Sequence, residues 1–383
     1  MCERACEIEA QGSRVIHLEA ARPDLDAPQV VKDAALEALD AGRVHHSPNA
    51  GTATLRQEIA LMLSSSNDLR YDPSTEVIVT NGANEAVLHA IMTFCNPGDE
   101  VILPVPAWPA YDTCIRLAQA TPVYLPLSPA DDYVLDPYEA QQLLTPRTRM
   151  IVVCTPHHPT GAVIDHRKLD QLAEALRHTR VLVLADESYS LLVYVDRRHV
   201  PVATAAGLKP RTITVGSFAK SYGMGGWCAG WLAGPKSLLE PMLRVRRLTA
   251  EAPPTFLQDA AVIAIHDTAM EQEDIRQEFS ARRAAALTLI GEQDLLRCVP
   301  PAGTFYLYLT YPKTHGAGRG VHDEAPRGGT RTADPGKRPR SDRRRRPLHP
   351  RVVRESTRQC PRRHPAPDLL HTAAKRSGTP WMT

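Results

Sequence analysis

Lys220 lies in Ser217-Phe-Ala-Lys-Ser-Tyr-Gly-Met-Gly-Gly-Trp-Cys-Ala-Gly-Trp-Leu-Ala-Gly-Pro235, a run of small residues and glycines that follows an apolar stretch. A flat ligand can approach such a lysine closely, and an amine taken partly out of water loses its proton more readily and becomes a nucleophile. Asp186 ends a second apolar run, Val181–Ala185, where a buried carboxylate is costly unless it meets a cation or hydrogen-bond donors. Thr80-Asn-Gly-Ala-Asn-Glu-Ala86 reads as a strand, a glycine turn and a helix start, and the free amides and positive dipole end of that helix suit a phosphate dianion. The three segments offer a nucleophilic amine, a carboxylate in need of a cation, and an anion-binding turn.

Further segments occur in a fixed order around them. Val153-Cys-Thr-Pro-His-His158-Pro-Thr-Gly161 is a proline-stiffened turn at a strand end, Pro104-Val-Pro-Ala-Trp108-Pro-Ala-Tyr111 carries a flat indole, and Asp186-Glu-Ser-Tyr189 adds a phenol. Nearer the N-terminus stand Leu18-Glu-Ala-Ala21-Arg-Pro-Asp24 and His46-Ser-Pro-Asn-Ala-Gly51-Thr-Ala-Thr-Leu-Arg56. In this order, from about Val15 to Thr310, the segments resemble the class I and II aminotransferases, enzymes of the pyridoxal 5'-phosphate (PLP) fold type I, of the aspartate and kynurenine aminotransferase kind.

The resemblance implies a site. Lys220 would hold the cofactor as a Schiff base, Asp186 would keep its ring nitrogen protonated so that the ring draws electrons, and Tyr189 would hydrogen-bond the phenolic oxygen. Ala83 and Asn84, with the Ser217 hydroxyl, would hold the phosphate, and Trp108 would stack on the ring. His158 takes the place of an asparagine of the family; its imidazole can still donate to the phenolic oxygen, but it is bulkier and titrates near neutral pH. His46 replaces a tyrosine that reaches the phosphate of the partner subunit, and Ala21 replaces a substrate-side glycine. Cys228 stands where the family has an arginine eight residues after the lysine, which implies a weaker hold on the phosphate. The implied reaction moves an amino group between an amino acid and a 2-oxo acid in a homodimer. A lyase or synthase on the same fold is the main alternative.

The elements that must position these residues are legible as periodicities. Val31–Leu39, Leu55–Leu63, Glu85–Thr93 and Leu169–Leu176 place apolar residues three and four apart, as helices do. Short β-branched runs separate them: Val77–Thr80, Val101–Leu103, Met150–Cys154, Val181–Ala185 and Thr212–Val215. Such runs, apolar on both faces, predict an α/β fold with a mainly parallel sheet, whose ligand site lies at the carboxyl ends of its strands. The resemblance implies seven strands in a large domain, with a small α+β domain beside it. Gly303–Tyr311 alternates with period two and predicts a strand of that smaller part. The expected organisation is residues 1–45 as the N-terminal segment of the small domain, 46–245 as the large cofactor domain, 246–316 as an interdomain helix and the start of the small domain, and 317–383 as a tail.

Composition bounds the remaining classes. The chain has 383 residues, 43% of them hydrophobic, and a formal charge of +2 that sums a mixed-charge body with an arginine-loaded tail. Charge is therefore no sign of specific nucleic-acid binding by the body. The eight cysteines form no CxxC pair and no metal spacing, and no apolar stretch reaches the ~20 residues that span a bilayer, so a cytoplasmic protein without a metal site or membrane partner is expected. No GxGxxG motif supports a nicotinamide cofactor. From Ala317 the chain is rich in Arg and Pro, with the run Arg343–Arg346, and carries too little apolar periodicity to offset its ordering entropy. The codons of Asp334–Ser341, read one base later, can spell Ile-Pro-Gly-Ser-Ala-x-Gly, which resembles the family's next segment. A shifted reading frame is therefore expected, with loss of the family's substrate-carboxylate arginine and impaired activity.

Overall fold

The computed structural model describes residues 2–18, 23–194 and 197–310. It divides into two units, residues 1–21 with 319–383 and residues 22–318. In the first, the described part is helix α1 (Cys2–Ala10) and a short extension in which His17 Nε2 meets Glu9 Oε1 at 3.0 Å. The second unit holds the seven-stranded sheet.

Its helices are α2 (Gln29–Asp40), α3 (Ala53–Asn67), α4 (Gly82–Phe94), α5 (Pro109–Leu117), α6 (Pro137–Gln142), α7 (His166–Leu176), α8 (Lys236–Thr249), α9 (Thr255–Asp267) and α10 (Ala269–Gly291). Seven strands, β1 (Val77–Thr80), β2 (Glu100–Val105), β3 (Thr121–Pro126), β4 (Thr148–Cys154), β5 (Leu182–Asp186), β6 (Thr212–Ser217) and β7 (Gly230–Ala233), form one sheet in the order β1-β7-β6-β5-β4-β2-β3. Only β7 runs antiparallel to its neighbours. The fold is thus the α/β arrangement with a mainly parallel seven-stranded sheet.

Alternation along each strand sends side chains to two cores. Met150, Val152, Leu184 and Val215 pack with α4, α5 and α8, while Ile151, Val153, Val183 and Ala185 pack with α7. A third core gathers α2, α3 and α9 around Val77, Val79 and Trp231. All five expected strands and all four expected helices are present. The sheet adds β3, whose run Thr-Pro-Val-Tyr-Leu-Pro is broken by prolines that an edge strand tolerates, and β7, which is hidden inside the glycine-rich lysine motif.

The expected strand Gly303–Tyr311 is corrected. Only β9 (Leu309–Thr310) pairs in a ladder, with β8 (Arg297–Cys298), and Gly303 makes a lone bridge to Val193. Between them Thr304 has φ +64°, which breaks an extended run, and Phe305 and Tyr306 turn toward a cluster of aromatic rings with Tyr189. Tyr311 and the Ala317–Thr383 tail, with the reading-frame expectation attached to it, lie outside the described residues.

Candidate active site

Strand registers bring the named residues to one edge. Cys154 pairs with Asp186 across β4 and β5, and Asp186 with Val215 across β5 and β6, so the three strands end side by side. Ser217 pairs with Gly230, and Gly230 with Thr80, so the end of β6 lies one strand from the end of β1, where α4 begins. A side chain at Gly230 would stand 2.7 Å from the Gly82 carbonyl carbon and 3.0 Å from the Ala83 nitrogen, so glycine is what allows α4 to start against β7. Gly82 adopts φ +76° at that turn.

Asp186 is buried, and both its oxygens are engaged. Tyr111 OH donates to Oδ2 at 2.6 Å, while the Ser188 hydroxyl and amide donate to Oδ1 at 2.6 and 3.1 Å. A carboxylate offers about four lone-pair sites, so three donors leave room for one more N–H. Tyr111 is fully enclosed beside the acid; burial, then the Asp186 charge, keep its phenol protonated as a donor. Trp108 meets Tyr111 edge to face at 5.2 Å, so one strand-to-helix turn positions both the indole and the clamp on the acid.

Lys220 Nζ lies 5.7 Å from the Tyr189 ring centre and 5.5 Å from that of Phe305. Tyr189 OH and Tyr306 OH are 2.8 Å apart, and the His158 ring meets Tyr306 edge to face at 4.3 Å and stacks parallel to Tyr189 at 6.3 Å. Burial first, and the Lys220 charge second, push His158 down to about 4, so it is a neutral imidazole at physiological pH. Its Nδ1 is buried with no hydrogen-bond partner among the described residues. His157 beside it, also buried, is pushed down to about 3 and bonds Thr160 Oγ1 at 2.8 Å. Gly161, at φ +72°, closes this turn: its carbonyl accepts from Ala302 and Gly303, and a side chain there would strike Pro301 at 2.2 Å. That close approach sets His158 against Tyr306.

At the start of α4 no side chain caps the helix. The start of α4 packs against Gly230, the register partner of Ser217, whose Oγ accepts from the Ala219 amide at 3.1 Å, and lies near Cys228, whose backbone is 3.9 Å from where a Gly82 side chain would begin. Cys228 is exposed, at φ +55°. These features fit PLP: one vacant acceptor position on Asp186, a buried imidazole nitrogen of His158 without a partner among the described residues, and a helix start with no side-chain cap to hold a phosphate.

The structure thus gathers Lys220, Tyr189 and His158 in one cluster and Asp186 and Trp108 around Tyr111, and it sets Ala83 and Asn84 at the α4 turn with Ser217 across strand β7 from the end of β1. His46 is not among them; it is 87% exposed, 3.9 Å from Glu251. Ala21 lies outside the described residues. Sequence reasoning missed Tyr306 and Ser188, and gave Tyr111 no role. Tyr306 was masked by the period-two pattern, whereas Tyr111 and Ser188 stand in segments already singled out and could have been weighed as donors to Asp186. Among the described residues no group of three or more His, Cys, Asp or Glu could hold a metal, and no helix is long and apolar enough to cross a membrane.

The family model "Aminotransferase class I and II" matches residues 13–325. The bifunctional aspartate and glutamate/aspartate-prephenate aminotransferase of Petunia hybrida is 35% identical over 318 residues, covering 82% of this chain and 66% of that protein, so the chain spans just under two thirds of its length. Aromatic-amino-acid aminotransferase 2 of Thermococcus litoralis is 35% identical over 302 residues, covering 78% of this chain and 77% of that one. The solved aspartate aminotransferase of Rhizobium meliloti superposes with a TM-score of 0.78 at 32% identity, over 80% of this chain and 77% of that one. With the sheet order and the lysine turn already in place, these matches make the chain a member of the class I and II aminotransferases, whose cofactor is pyridoxal 5'-phosphate.

Proposed function

We propose that the carboxyl edge of the sheet binds PLP and transfers an amino group between an amino acid and a 2-oxo acid. The observation that carries this reading is the convergence of Lys220, Tyr189 and His158 next to a buried Asp186 with one acceptor position left. Bound there, PLP supplies an electron sink joined to the carbon that exchanges the amino group.

The residues divide the work. Lys220 Nζ, close to the Tyr189 and Phe305 rings, is the amine that would hold the cofactor and, once released by substrate, would carry the proton between the substrate Cα and the cofactor. Asp186, fixed in place by three donors, would accept the ring N–H at its remaining acceptor position. Tyr189 and neutral His158 would donate to the phenolic oxygen, and Tyr306, bonded to Tyr189, fixes its hydroxyl. Trp108 covers the ring face, and the amides of Ala83 and Asn84 with the Ser217 hydroxyl hold the phosphate.

His46, exposed at the surface, would reach the partner subunit's phosphate in a homodimer, and scattered cysteines with no CxxC pair support a cytoplasmic setting. We assign no arginine to the substrate carboxylate. A single turnover with an amino acid and no 2-oxo acid tests the reaction class: a transaminase accumulates the pyridoxamine form of the cofactor, and a lyase or synthase returns the starting spectrum.

A further inference from the structure

We infer that Arg246 and Glu85 are positioning residues that hold Asn81 off the first turn of α4, so that its amides stay open to the cofactor phosphate. Asparagine is among the strongest helix N-caps, and Asn81 occupies the N-cap position of α4, yet its side chain makes no capping bond. It is held elsewhere. Asn81 Nδ2 donates to Glu85 Oε2 at 3.0 Å and to the Glu251 carbonyl at 2.9 Å, and the Asn81 amide also donates to Glu85 Oε2.

Glu85 is fixed in turn. Arg246 Nε donates to Glu85 Oε1 at 2.8 Å, and the rest of the guanidinium, 1% exposed, donates to the carbonyls of Asn49 and of Glu251, the latter at 2.9 Å. One buried cation thus ties the 46–51 segment, the α4 start and the α8–α9 turn. Glutamate at this position satisfies the orphan backbone donor of Asn81 without occupying the amides of Ala83 and Asn84. Remove Glu85, and the Asn81 carboxamide keeps only its bond to the Glu251 carbonyl and can turn onto those amides, capping the helix and competing with a phosphate for the same donors.

The inference rests on the PLP reading, and its test separates the two. Deleting one charge would strand the other in the interior, so both are replaced together, as Glu85→Met with Arg246→Met. Affinities of the apo-protein for PLP and for pyridoxal, which lacks the phosphate, are measured by tryptophan quenching. The expected result is that the double variant loses about tenfold in PLP affinity, in the range of one helix cap, while pyridoxal affinity stays within about twofold. Adding Asn81→Ala to the double variant should restore PLP binding. Asn81→Ala alone, which leaves the buried pair intact and should fold, is expected to leave the PLP-to-pyridoxal ratio within about twofold.

Parallel loss of both ligands, failure of Asn81→Ala to rescue, or a tenfold gain in PLP affinity from Asn81→Ala alone would each overturn the inference. A wild-type protein with no preference for PLP over pyridoxal would overturn the cofactor reading and this inference with it.

Discussion

His157 and His158 stand where the fold can least accommodate a charge. Burial pushes them down to about 3 and about 4, against an ordinary value of 6.5, so the unfolded chain binds more protons than the folded one between those limits. Stability contributed by the neutral rings is complete above about pH 6.5 and is lost as pH falls toward 4. Unfolding by urea at stepped pH should show this decline, and His158→Asn should flatten it; an unchanged slope would mean that His158 does not stay neutral. Cys228 invites a second substitution. A guanidinium there would lie beside the open α4 turn, so Cys228→Arg should tighten PLP binding about tenfold, as a charge-assisted pair in a half-wet site would. Dialysis against apo-protein checks it, and unchanged retention would place residue 228 away from the phosphate. At this scale the sequence was most informative where chemistry restricts the residue type, as at Lys220 and Asp186. It was least informative at Tyr306, whose hydroxyl matters only because Thr304 and Gly161 turn its segment inward.

The elements were legible wherever one residue pattern meets one environment. Continuous apolar runs became the central strands, and three-four spacing became α2, α3, α4 and α7. Strand β7 escaped because Gly230 and Ala233 show no β-branched signal; its glycine answers to the backbone of α4 rather than to strand propensity. That contact carries a prediction. Gly230→Ala puts a carbon against the Gly82 and Ala83 backbone, which cannot move away as a flexible side chain could. The start of α4 must shift, with an expected stability loss of about 1–3 kcal/mol, the usual cost of overpacking, and a tenfold or greater fall in PLP affinity. Thermal melts and cofactor titration read the two effects, and a melt shift with intact PLP binding would detach the α4 turn from the phosphate.

For the whole molecule, the family match ends at residue 325, and the aligned part of Thermococcus litoralis aminotransferase covers 77% of that protein. The Arg- and Pro-rich stretch beyond Ala317 shows no segment like the one that carries the family's carboxylate-binding arginine, and we propose that a shifted reading frame accounts for its composition. A missing charged partner should lower substrate affinity by about 1.5–3 kcal/mol. Fusing the one-base-shifted translation in place of the tail should therefore lower KM for an amino acid about ten- to hundredfold. Turnover by the chain as written at ordinary enzyme rates, or a shifted frame without family-like continuation, would refute this.

The proposed chemistry depends on Lys220 being the amine that carries the cofactor. Incubation with PLP, borohydride reduction and peptide mapping of the purified protein tests it most directly. A single phosphopyridoxyl label on Lys220 is expected, absent from Lys220→Ala together with the visible absorbance of the bound cofactor; a label on any other lysine, or visible absorbance surviving in Lys220→Ala, would contradict this assignment.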